Sequence, residues 1–195
     1  MITINEAKIQ TIKEKIPNLT DLSFVLSETF AANVENHREN IRAVLAKDFS
    51  FRFNRQQLAQ LSDLNVIPTA AQGFFSISHC PALGGFSYAN FKHGFDMESV
   101  DRISKPIIQR TCAEDEITGA PNAKFLWVAK EAAIKALSVR KNDFLISDFQ
   151  TENWKSHFET EVFSYRITSK KTLDLSLNKG FVFSEKDILF GLFFK

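Results

Sequence analysis

The sequence predicts a mixture of helices and strands, and three observations carry that reading. Apolar residues recur at helical spacing through the first third. Short aromatic runs broken by Gly or Pro begin at Gly73, and apolar and polar residues alternate beyond Asn142. At 195 residues the chain can bury a substantial core, as one domain or two closely packed halves, and one compact unit is expected.

The elements follow in order. Residues 5–16 place Ile9, Ile12 and Ile16 on one helical face and stop at Pro17. Residues 35–46, with Ile41, Val44 and Leu45, and residues 54–64, with Leu58, Leu61 and Leu64, predict two more helices. Strands are predicted over 74–78, 85–91 and 95–98, with Lys92-His93-Gly94 as a hairpin turn. Helix returns over 106–112 and, more strongly, over 122–139. Four runs close the chain: Phe163, Tyr165 and Ile167; Leu173, Leu175 and Leu177; Phe181 and Phe183; and residues 188–194. With Asn178-Lys179-Gly180 as a turn, they predict an antiparallel meander.

Composition narrows the function classes. Lys plus Arg (24) balance Asp plus Glu (23), so net charge points to neither nucleic acid nor an anionic membrane, and charge-based recognition must be local. Cys80 and Cys112 form no disulfide framework or CxxC metal pattern, no charged-then-apolar leader precedes the first helix, and a reducing cytoplasm is expected. No apolar run nears the roughly 20 residues that cross a bilayer, so a soluble chain is expected. The 20 phenylalanines read mainly as core, with a smaller share available for a partner.

Three short segments carry chemistry. In Gly94-Phe95-Asp96-Met97-Glu98 the two acids share one face of a strand. Such a pair is either solvated or bridged by a hard cation such as Mg2+. Glu131 and Lys135 stand one helical turn apart, which taken alone is a surface salt bridge. The apolar residues around them, from Phe125 to Leu137, place that helix in the interior, where charges need partners or ligands. Ser76-Ile77-Ser78-His79-Cys80 ends a strand with hydroxyls beside a histidine, a set that is either structural or able to hold phosphate.

In this order the segments resemble the 4'-phosphopantetheinyl transferase superfamily: a Ser-His strand end, a Gly-Ile-Asp-Ile-Glu motif, and Trp-x-x-Lys-Glu-Ala-x-x-Lys from Trp127 to Lys135. The resemblance spans residues 74–137 and implies an α+β fold of two similar halves related by a pseudo-twofold, roughly 1–92 and 93–195, with coenzyme A in the cleft between them. It implies Mg2+ on Asp96, Glu98 and Glu131, Glu131 as base toward a serine of an apo acyl- or peptidyl-carrier protein, and release of 3',5'-ADP. Lys135 would contact the pyrophosphate, with Lys130 adding to the field or pairing with a carboxylate. Ser78 and His79 would hold the 3'-phosphate. Lys47 and Arg55 resemble a basic pair that also reaches that phosphate in longer members, the alternative being two solvated side chains. Phe95 and Met97 replace aliphatics, and the Gly/Lys/Pro-rich loop of many members is missing between Leu64 and Gly73, so no adenine contact is assigned. A monomer is expected. Two rivals stand beside this reading: a Mg2+-dependent nuclease-like enzyme, and a non-catalytic binder of coenzyme A or carrier protein.

Overall fold

Two antiparallel sheets organise the chain, and the switch between them falls at Lys92. The structure, a computed structural model, describes residues 3–63, 72–138, 143–171, 173 and 175–195. Strands β1 (Leu22–Ser27), β2 (Phe74–His79) and β3 (Gly84–Ala89) form the smaller sheet in the order β1-β3-β2. Strands β4 (His93–Ser99), β5 (Phe149–His157), β6 (Val162–Ser169), β7 (Lys179–Glu185) and β8 (Ile188–Phe194) form the larger in the order β4-β8-β7-β6-β5. The C-terminal meander is therefore present, and the architecture is mixed α+β.

Lys92-His93-Gly94 is not a hairpin turn. Strand β3 already pairs with β1 on one edge and β2 on the other, so β4 has no edge of β3 to join. It crosses to β8 instead, in register from His93↔Phe194 to Ser99↔Ile188. Lys179 and Gly180, expected in a turn, open β7. Leu173, Leu175 and Leu177 form no strand: Leu175 is buried, Leu177 is 90% exposed in a turn, and residues 172 and 174 lie outside the described residues. Strands β1 and β5 were not expected from the pattern.

Helix α1 (Glu6–Lys15) is capped by the Asn5 side chain, which accepts from the Ala7 amide. Lys8 ties it to the larger sheet by donating to the Ser184 carbonyl and pairing with Glu185 at 3.1 Å. Ile12 then packs with Phe95, Phe181, Phe183 and Phe190. Helices α2 (His37–Asp48) and α3 (Arg55–Gln60) cover the smaller sheet, where Ile41, Leu45, Phe53 and Leu61 meet Phe75, Phe86 and Tyr88. A reciprocal capping box between Asn54 and Gln57 starts α3. Helix α3 stops four residues short of the expected 64, and Leu64 lies outside the described residues. Most described phenylalanines are buried or half-buried; Phe51, Phe74 and Phe158 are exposed.

Helices α4 (Lys105–Thr111), α5 (Glu114–Gly119) and α6 (Phe125–Leu137) follow β4. The sequence places α6 at 122–139, of which Val139 lies outside the described residues. Helix α6 packs on the larger sheet through Val128, Ala129, Ala132 and Ala136 against Tyr165, Val182, Leu189 and Phe193. Two glycines allow the close approach. A Cβ on Gly94 would sit 1.9 Å from the Ala132 carbonyl oxygen, and one on Gly191 would sit 2.3 Å from that of Val128. The buried Tyr165 hydroxyl also bridges to the carbonyls of Ala129 (3.0 Å) and Leu192 (3.2 Å). Among the described residues no helix is long and apolar enough to cross a membrane.

The two sheets meet along β2 and β4 through side chains rather than a backbone ladder. The Ser76 hydroxyl accepts from the Phe95 amide at 2.8 Å, and the Ser78 hydroxyl from the Met97 amide at 3.0 Å. These contacts satisfy β4 donors that point away from β8. Nearby, buried His93 donates from Nδ1 to the Phe91 carbonyl (3.0 Å), which leaves Nε2 to accept from Ser87 (2.7 Å).

Two outcomes are expected. Gly94→Ala must push α6 off β4 and cost at least about 2–3 kcal/mol by denaturant unfolding; an unchanged midpoint would contradict the packing. Burial holds the His93 imidazole down at about 4. The unfolded chain therefore binds a proton that the native protein refuses between the ordinary histidine value of about 6.5 and about 4. Stability from this group is complete above that window and lost as pH falls through it, in total roughly 3 kcal/mol. Unfolding measured at pH 7 and pH 4.5 should show that excess loss in the native protein and not in His93→Gln.

Candidate active site

The seating of α6 on β4 decides which side chains meet. Strand β4 alternates Phe95 and Met97 into the core behind it with Gly94, Asp96 and Glu98 toward α6, as the period of two requires. Gly94 takes the helix backbone, so the next residue on that face, Asp96, lies beside the turn carrying Glu131 and Lys135.

Asp96 is 6% exposed. Its Oδ1 accepts from Lys135 Nζ at 2.7 Å and from the Ser78 hydroxyl at 2.9 Å. Lys135 also donates to Ser78 Oγ (2.9 Å) and the Ile77 carbonyl (3.2 Å), so α6, β4 and β2 converge on one ion pair. Glu98 accepts from the Ser99 amide (2.9 Å) and from Arg102 (3.3 Å). Its carboxyl is raised above the ordinary value by burial, with the Asp96 charge adding to the shift against Ser99 and Arg102.

Glu131 receives no hydrogen bond from a described residue. Burial raises its carboxyl too, and the charges of Asp96 and Glu98 push it the same way while Lys135 opposes them. Three carboxylates on two adjoining elements thus sense one another, and Glu131 is the one of them that accepts no hydrogen bond from a described residue. Among the described residues no three such side chains are drawn close enough together, as they stand, to hold a metal ion. The chemistry of the donor set fits a hard divalent cation, because oxygen ligands in excess of local positive charge are what Mg2+ takes.

Next to this acidic group lies a basic one. His79 ends β2 and packs edge-on against His37 at a ring separation of 4.7 Å. Burial lowers the His79 imidazole, and the nearby charges of His37, Lys135 and Arg38 lower it further. His37 opens α2; its Nδ1 bonds the Val34 carbonyl (3.0 Å), and its buried Nε2 has no partner among the described residues. The sequence reading missed His37 and Arg38. A His-Arg pair at a helix start was the available signal, but nothing local links it to His79.

The remaining expected residues lie elsewhere. The end of α2 that reaches His79 is its N-terminus; Lys47, ten residues on, is about 15 Å farther along the axis. Arg55 starts α3 beyond it, and both cations are exposed. Neither joins the cluster. Lys130 does not join it either: it is fully buried and turns toward α4 and α5, donating to Glu116 (2.8 Å) and the Thr111 carbonyl (3.1 Å). Glu116 also accepts from the Ala113 amide (3.0 Å) and the Thr151 amide (2.7 Å), so both partners are hydrogen-bonded within the fold.

Comparison with known proteins finds no family model and no curated protein that matches the chain.

The Lys130–Glu116 pair makes a testable statement. Lys130→Met strands a buried carboxylate and should cost about 3–5 kcal/mol, while adding Glu116→Gln should recover most of that loss. Additive losses in the double variant, read from denaturant midpoints, would contradict the pairing.

Proposed function

We propose that the protein is a Mg2+-dependent 4'-phosphopantetheinyl transferase that moves the phosphopantetheine arm of coenzyme A to a serine of an apo acyl- or peptidyl-carrier protein. The observation that carries this reading is the meeting of Asp96, Glu131 and Lys135 at the β2–β4 junction, where an acidic group adjoins a basic one. A ligand that pairs a cation with several phosphates suits such a site. The pseudo-twofold fold of the superfamily belongs to the same proposal, with the three- and five-stranded sheets as its two halves.

In this mechanism Asp96, Glu98 and Glu131 would hold the cation, which when bound would supply Lewis-acid charge to the pyrophosphate oxygens. Lys135, still held by Ser78 and the Ile77 carbonyl, would turn one donor from Asp96 to the pyrophosphate and steady the charge that builds on it. Glu131, raised by burial and its neighbours, accepts the proton of the carrier serine. The serine oxygen bonds to the β-phosphorus as the bridging P–O bond breaks, and 3',5'-ADP departs with the bridging oxygen. His79, His37 and Arg38 form the corner for the 3'-phosphate, with Arg38 supplying the fixed positive charge. Arg102, now on Glu98 at 3.3 Å, would share that carboxylate with the cation.

The test is the mass of an apo acyl-carrier protein after incubation with this protein, coenzyme A and Mg2+. A phosphopantetheine gain that EDTA prevents, and that Asp96→Asn or Glu131→Gln reduces at least 100-fold (about 2.7 kcal/mol), is expected. Coenzyme A binding without any gain on carriers of fatty-acid, polyketide and nonribosomal-peptide type would favour a non-catalytic binder. Cleavage of nucleic acid instead would favour a nuclease.

A further inference from the structure

Ser78 occupies a position where hydrogen-bonding capacity can be counted. A serine hydroxyl has one proton to give and two lone pairs to offer. Here the proton goes to Asp96 Oδ1 at 2.9 Å, and the lone pairs receive the Met97 amide at 3.0 Å and Lys135 Nζ at 2.9 Å. The residue is 3% exposed. Nothing is left with which to bind a ligand, and each partner belongs to a different part of the site: a carboxylate, the backbone of the strand that carries it, and the lysine of α6.

We infer that Ser78 is a positioning residue that aims the Asp96 carboxylate and the Lys135 ammonium at the reacting pyrophosphate, and that phosphate recognition at the end of β2 falls to His79 and the side chains around it. The inference rests on the transferase reading and separates two neighbours that the sequence pattern joins. Ser76 supports the division of labour. One pleat back, its hydroxyl makes the corresponding bond to the Phe95 amide but meets no charged partner among the described residues, so it joins the sheets apart from the Asp96–Lys135 pair.

Steady-state transfer to an apo acyl-carrier protein with two donors, coenzyme A and 3'-dephospho-coenzyme A, distinguishes positioning from phosphate binding. The native protein should prefer coenzyme A. Ser78→Ala should lower kcat at least tenfold with both donors by the same factor, leaving the preference and the KM for each donor within about twofold. His79→Ala should erase most of the preference. If Ser78→Ala instead loses activity with coenzyme A alone, so that the preference collapses, Ser78 binds the 3'-phosphate and the inference is overturned. Ser78→Cys, which fills the volume with a poor hydrogen-bonding group, serves if the alanine variant does not fold. Absence of transfer from either donor by the native protein would overturn the transferase reading itself. A crystal structure of the variant then decides the inference: displaced Asp96 or Lys135 supports it, and unmoved side chains overturn it.

Discussion

Everything that makes this molecule a candidate catalyst depends on how closely α6 can lie on β4. Gly94 has no side chain, and the space where one would stand is filled by the backbone of α6 at Ala132. Gly191 on β8 does the same beneath Val128, and the Tyr165 hydroxyl reaches up from β6 to fasten the helix. With the helix seated there, the small residues Ala129, Ala132 and Ala136 meet the sheet while Glu131 and Lys135 project over its β2–β4 edge. An acid pair on a strand and an acid–base pair on a helix, each ordinary alone, then share one volume.

That volume is electrostatically divided. Asp96, Glu98 and Glu131 outnumber the cations within reach, and two of the three are raised by burial and by one another. Around His79 the imbalance is reversed, with His37, Arg38 and Lys135 as the named neighbours and no carboxylate among the influences on its ring. Lys135 belongs to both regions. Such polarity suits a ligand in which a metal ion and phosphates sit side by side. It costs stability in the free protein, since three carboxylates are held together against the two cations Lys135 and Arg102. Lys130, next to Glu131 in sequence, shows the opposite treatment: buried, bonded to Glu116 and Thr111, and turned away from the cluster.

Much of this could be read from the chain. The alternation around Asp96 and Glu98, the one-turn spacing of Glu131 and Lys135, and the C-terminal meander are local patterns, and local patterns survive folding. What escaped depends on partners distant in sequence. The order β3, Lys92, β4 looks like a hairpin because turn chemistry does not reveal that both edges of β3 are already taken. Strand β5 is masked by an irregularity at Asn153, where a positive φ of 56° and a register shift break the alternation. Strand β1, Leu22–Ser27, carries a short apolar run without strict alternation. His37 escapes because nothing in the sequence tells which end of α2 meets His79.

The most direct test of the account is a crystal structure of the protein with coenzyme A and Mg2+. The account predicts metal density bounded by Asp96, Glu98 and Glu131, with the pyrophosphate against Lys135 and the 3'-phosphate beside His79, while Gly94 remains in contact with Ala132. Coenzyme A bound elsewhere, or a pyrophosphate with no metal and no contact to Lys135, would contradict it.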